Sequence, residues 1–207
     1  MCGIVASFNK EKLIELYKIN AYRGELSHSI SIYNPIEKTI IINRYSDKID
    51  FNRIIINKNE YCIIHSQAPT TKKDNLNIHP AQYYDTFLWH NGIIKDFEVT
   101  RLRDKYNIDT LWDTELLLQE LNSVDYLNNL STINGSFAGI FFDSKKELYV
   151  FRNEIAPLFV DSNMNISSTR FDNTTILKPN IFFKLDLESK TLIETGKFET
   201  LENPYNF

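Results

Sequence analysis

Residues 1–8 read MCGIVASF, and two chemistries fit them. The run is apolar, as a buried first strand requires, and a cysteine inside such a strand is ordinarily a small hydrophobe. Its place directly behind the initiator gives it a second use. A side chain this small lets an aminopeptidase remove Met1, and Cys2 then carries a thiol and a free α-amine on one residue. An exposed α-amine titrates at about 7.7–8.0, so near neutral pH part of it can take the thiol proton. The thiolate is the attacking form. A threonine activated by its own terminal amine follows the same logic.

The composition narrows the classes of function. At 207 residues the chain can bury about 70% or more of its unfolded surface, and a single domain over residues 1–207 is expected, with Met1 removed. A hydrophobic content of 43% and a charged content of 24% are those of an ordinary globular chain. A net charge of −4 and a pI near 5.6 leave no basic footprint, so nucleic acid is not an expected partner. Cys2 and Cys62 are the only cysteines and no CxxC occurs, which argues against a disulfide scaffold and a cysteine zinc site. There is no run of about 18 apolar residues and no signal-peptide pattern. These features predict a cytoplasmic protein with no membrane partner and no cofactor.

Short strand-like runs dominate: CGIVASF, HSISIY, KTIIINRY, EYCIIHS, TFLWHN, FAGIFFD, ELYVF and IFFKLDL. They are rich in Ile, Val, Phe and Tyr, and several alternate apolar with polar. Helical periodicity occurs in KEKLIELYKI, with Leu13, Ile14 and Tyr17 on one stripe, in DFEVTRLRDKY, and in TELLLQELNSVDYL with Asp113 as its N-cap. Strands, then helices, then strands predict an α+β fold of sheets with helices packed outside, not a doubly wound parallel sheet.

Several short segments carry candidate chemistry. In LWHNGIIKDF, Asn91-Gly92 is first a tight-turn signal for a hairpin. It also reads as two donors, the Asn91 amide and the Gly92 backbone N–H, of the kind that stabilise a tetrahedral acyl-transfer intermediate. Asp113 either caps its helix or offers a rigid carboxylate to a substrate ammonium. Arg23-Gly24 reads as an exposed turn or as part of a site. The histidines 28, 65, 79 and 90 show neither HxH nor HExxH spacing, so no metal site is expected.

In order, MCGI, RGELSH, HSQAPTT, NIHP, WHNGII and DTELL resemble the class II glutamine amidotransferases, whose mature chain begins with a Cys-Gly-Ile nucleophile. INGSFAGIFFD, FRNEIAPLFV, ISSTRF and ILKPNIFFKLD extend the resemblance over about residues 2–190. It implies the N-terminal-nucleophile hydrolase fold, a four-layer αββα sandwich of two antiparallel sheets. It also implies that Cys2 attacks the side-chain amide of glutamine while Asn91 and Gly92 hold the oxyanion. On the substrate side, Asp113 matches the aspartate that binds the α-amine, and Arg23 matches the Arg-Gly pair that builds the nucleophile's surroundings.

Two departures from the family pattern bear on specificity. Gln67 stands where the family usually has an arginine that pairs with the substrate α-carboxylate. Arg supplies a charged bidentate fork and Gln a neutral amide. Thr70, Thr71 or the following Lys72 and Lys73 are candidates to compensate. Family members are also usually fused to a synthase that consumes the ammonia, and the residues after about 190 leave no room for one. The acceptor is therefore expected on a synthase chain in trans. The alternatives are an N-terminal-nucleophile amidohydrolase acting on another small amide or γ-glutamyl substrate, and a non-catalytic binding module on the same fold.

Overall fold

In a computed structural model, residues 2–68 and 77–203 are described. The strands, in chain order, are β1 (Gly3–Ser7), β2 (Ser27–Asn34), β3 (Thr39–Tyr45), β4 (Tyr61–Gln67), β5 (Ala81–Tyr83) and β6 (Thr86–Ile94). They continue with β7 (Gly135–Phe142), β8 (Leu148–Arg152), β9 (Phe159–Val160), β10 (Ile166–Ser167), β11 (Thr175–Ile176), β12 (Ile181–Asp186) and β13 (Thr191–Lys197). The helices are α1 (Lys10–Asn20), α2 (Asp96–Tyr106), α3 (Asp113–Leu121) and α4 (Tyr126–Ser131).

Among the described residues the strands form two sheets, ordered β11-β9-β10-β1-β4-β2-β3 and β13-β12-β8-β7-β6-β5. Every strand pair is antiparallel. The period-2 alternation of each strand assigns the layers. Ile4, Ala6, Tyr61 and Ile63 of the first sheet meet Trp89, Ala138, Ile140 and Val150 of the second in one core between the sheets. The alternate residues Val5, Cys62 and Ile64 face the opposite way and pack with Leu13 and Leu16 of α1. Leu88, Phe137, Phe141 and Phe151 turn outward from the second sheet and pack with Val99, Leu102, Leu116 and Leu130 from α2, α3 and α4. The order is helix, sheet, sheet, helices, the expected αββα sandwich.

Several local expectations are corrected. Asn91-Gly92 forms no turn: it lies within β6, with Asn91 opposite Ala138 and Gly92 opposite Phe137. The hairpin turn falls earlier, at Tyr84-Asp85 between Tyr83 and Thr86, with Tyr84 at φ 49°. Asp113 does not cap α3; Trp112 is the N-cap residue and Asp113 the first helical residue. The run TELLLQELNSVDYL breaks after Leu121, where the backbone N–H and the side-chain amide of Asn122 both donate to the Leu118 carbonyl. On α1 the buried stripe is Leu13, Leu16 and Asn20, with Ile14 half-buried. Its N-cap is Asn9, whose side chain accepts from the Lys12 N–H at 2.8 Å.

Candidate active site

Cys2 stands at the start of β1, whose first residue Gly3 pairs with Ser66 near the end of β4. It is buried, and its thiol reaches the Ala68 carbonyl with S···O 3.9 Å. Burial, reinforced by the negative charge of Asp113, pushes the thiol up to about 11, so the resting group is a neutral thiol.

The backbone beneath this cysteine is held by a network around Arg23, a residue the resemblance placed here, with Ser168 and Thr169 as members the sequence did not reveal. The Arg23 guanidinium is buried with all three nitrogens engaged. Nε donates to Thr169 Oγ1 at 2.8 Å, one terminal nitrogen to the Ser168 carbonyl at 2.8 Å, and the other to the Cys2 carbonyl at 3.5 Å. Thr169 in turn donates to Asn20 Oδ1, and Ser168 Oγ accepts from the Ile4 N–H. Arg23 thus braces the Cys2 peptide. Gly24 follows because its backbone crosses the end of β4: a β-carbon there would sit 2.4 Å from the Gln67 carbonyl carbon. Gln67 is half-buried, and its Oε1 accepts from the Ser27 hydroxyl at 3.0 Å. Thr70 and Thr71, with Lys72 and Lys73, lie outside the described residues.

The opposite wall comes from the second sheet. β1 and β6 approach within 8 Å at their Cα atoms. On β6, Asn91 is 1% exposed, and neither its Oδ1 nor its Nδ2 has a hydrogen-bond partner among the described residues. It shares the parity of Trp89, a residue of the core between the sheets. Gly92 takes φ 153°, and a β-carbon there would sit 1.9 Å from the Ser136 carbonyl oxygen, so only glycine fits. Just beyond it, Ile93, Lys95, Gly135 and Ser136 contribute to a cleft of about 510 Å³, with Glu202 and Asn203 also lining it.

Asp113 reaches the same end from α3. Its Oδ2 accepts from the Ile94 N–H at 3.2 Å, which ties the helix start to the end of β6. Around it lie three buried histidines. His65 Nε2 is 2.9 Å from the His90 carbonyl, a bond that crosses from the first sheet to the second. His79 stacks on His65 with centroids 3.7 Å apart, and meets Thr114 Oγ1 through Nε2 at 3.0 Å. His90 meets the same hydroxyl through Nδ1 at 3.1 Å. Burial lowers all three, His65 to about 3, so each imidazole is neutral at pH 7. Among the described residues no three His, Cys, Asp or Glu side chains converge as a metal site requires. No helix among them is long and apolar enough to cross a membrane.

Of the sequence-derived candidates, Cys2, Arg23 and Gln67 cluster at the end of the first sheet, and Asn91, Gly92 and Asp113 at the facing end of the second. Ser168, Thr169 and Thr114 were missed as individuals, although ISSTRF and DTELL contain them. A hydroxyl that binds backbone or imidazole has no signature in spacing alone.

No family model and no curated protein sequence matches the chain. Solved structures do. The glutamine phosphoribosylpyrophosphate amidotransferase of B. subtilis, complexed with ADP and GMP, superposes with a TM-score of 0.69 at 15% identity over 94% of this chain and 49% of that one. A structure described as the allosteric regulatory enzyme of purine biosynthesis gives 0.66 at 16% identity, over 94% and 48%. The chain spans about half the length of each. At this identity the likeness establishes the fold: an α+β sandwich of two antiparallel sheets between helices, the N-terminal-nucleophile hydrolase arrangement.

Proposed function

We propose that the chain is a glutaminase of the class II amidotransferase kind, with Cys2 as nucleophile once Met1 is removed. The observation that carries this reading is Asn91. A buried amide with both polar atoms unpartnered among the described residues costs roughly 1–3 kcal/mol, and a ligand that supplies the missing bond explains why it is kept.

The neutral Cys2 thiol gives its proton to the α-amine freed by loss of Met1. Sulfur attacks the side-chain carbonyl carbon of glutamine, and the electron pair moves onto oxygen, facing the Asn91 amide and the Gly92 N–H. Collapse breaks the C–N bond; the nitrogen takes the proton held by the amine and leaves as ammonia. Water then cleaves the γ-glutamyl thioester, releasing glutamate and restoring the thiol. Asp113 pairs with the substrate ammonium, Gln67 with Thr70 and Thr71 meets the carboxylate, and Arg23 steadies Cys2. The ammonia passes to a synthase chain in trans.

The first test is intact mass before and after exposure to an electrophilic glutamine analogue, with Cys2→Ala as control. Loss of Met1 and one adduct, absent in Cys2→Ala, is expected; retained Met1 would instead favour a binding module. Gln67 motivates a second reading, in which the same nucleophile acts on another small amide or a γ-glutamyl compound. A strong preference for free glutamine across a panel of amides would dispose of it.

A further inference from the structure

Thr114 is a hub with more neighbours than its hydroxyl has protons. Its Oγ1 lies 3.0 Å from His79 Nε2, 3.1 Å from His90 Nδ1 and 3.4 Å from Asp113 Oδ1. One hydroxyl donates once and accepts twice. A carboxylate can only accept, and a charged acceptor binds a hydroxyl proton more strongly than a neutral imidazole lone pair. Giving the proton to Asp113 then requires both imidazoles to donate, from His79 Nε2 and His90 Nδ1. A neutral imidazole has one N–H, so His79 Nδ1 and His90 Nε2 become bare lone pairs. These are the two ring nitrogens that make no well-formed hydrogen bond among the described residues, although His90 Nε2 lies near the Ser136 carbonyl. His65 completes the set, because the His90 carbonyl only accepts and fixes the hydrogen on its Nε2.

We propose that Thr114 is a positioning residue for substrate recognition: held by N–H groups of His79 and His90, its hydroxyl turns toward Asp113 and aims that carboxylate at the substrate ammonium. This rests on the glutaminase reading. The competing arrangement places the His90 hydrogen on Nε2, beside the Ser136 carbonyl. The Thr114 proton then goes to His90 Nδ1, and Asp113 keeps only the Ile94 N–H.

Two measurements test it. In the first, wild type, Thr114→Val and Thr114→Ser are assayed with glutamine and with 4-carbamoylbutanoate, which is glutamine without its α-amine. Wild type is expected to prefer glutamine, Thr114→Val to lose about tenfold of that preference in kcat/KM, and Thr114→Ser to restore it. Equal loss on both substrates, with the preference intact, makes Thr114 merely structural and overturns the proposal. The second needs no variant, so it stands even if Thr114→Val fails to fold. Imidazole ¹⁵N shifts of the wild-type protein are expected to show His65 and His79 protonated on Nε2 and His90 on Nδ1; His90 protonated on Nε2 overturns the proposal. If wild type turns over neither amide and Cys2 takes no label, the glutaminase reading itself falls and this proposal with it.

Discussion

Arg23 and Asn91 are buried polar side chains at the same end of the sandwich, one behind the first sheet's cysteine and one on the second sheet's facing strand. Every arm of Arg23 is occupied, by Thr169, Ser168 and Cys2. Neither polar atom of Asn91 has a partner among the described residues. Buried polar groups are overwhelmingly satisfied, because stranding one costs more than a made bond returns. Arg23 obeys that rule and is part of the scaffold. Asn91 breaks it, on the wall where the proposed chemistry needs a donor with nothing else bound.

The two residues should therefore fail in opposite ways. Asn91→Ala is expected to cut glutamine hydrolysis about 10²–10³-fold, the effect of removing one oxyanion donor, while stability stays within about 1 kcal/mol because no bond is lost. Steady-state kinetics beside urea unfolding checks both. A large loss of stability would make Asn91 a structural residue whose partners lie elsewhere.

Arg23→Met should reverse the pattern. It leaves the Ser168 carbonyl without its charged donor and releases the Cys2 peptide, at a cost of about 2–3 kcal/mol in stability. For a chain of this size that lowers Tm by roughly 4–12 °C. Arg23→Lys is expected to rescue little, since one ammonium cannot span three acceptors. An unchanged melting curve would show that the clamp contributes nothing.

The strands were legible in the sequence because period-2 alternation records which side of a strand is buried, whereas the αββα layer order was implied only by the family resemblance. Each of the eight apolar runs is a strand. β13 was missed because TLIETGK is largely exposed and alternates weakly, and β9, β10 and β11 because two residues carry no period. Asn91-Gly92 reads locally as a turn, but its pairing with Phe137 and Ala138 some 45 residues on keeps it inside a strand. Asp113 reads locally as a cap, but its carboxylate goes to Ile94 on a neighbouring strand. Cys2, Asn91, Gly92 and Asp113 stood out by residue type and order. Thr114, Ser168 and Thr169 did not, since their importance lies in what long-range packing brings against them.

The two walls also differ in what braces them. The first is braced by the Arg23 guanidinium, hydrogen-bonded at all three nitrogens. The second is braced by imidazoles that burial holds neutral. His65 titrates near 3 when folded against about 6.5 when unfolded, so between those values the unfolded chain binds more protons. Its contribution is present above pH 6.5 and is lost as pH falls. At pH 5 the loss is about 2 kcal/mol for His65 alone, from one proton over one and a half units. His79 and His90, also lowered, add to it. Urea unfolding between pH 8 and 5 is expected to show this decline, and His65→Gln, which offers a non-titrating N–H to the His90 carbonyl, should flatten it by up to one proton's worth of slope. An equally steep decline in His65→Gln would place the acid sensitivity elsewhere than at the neutral His65 that ties β4 to the His90 carbonyl of β6.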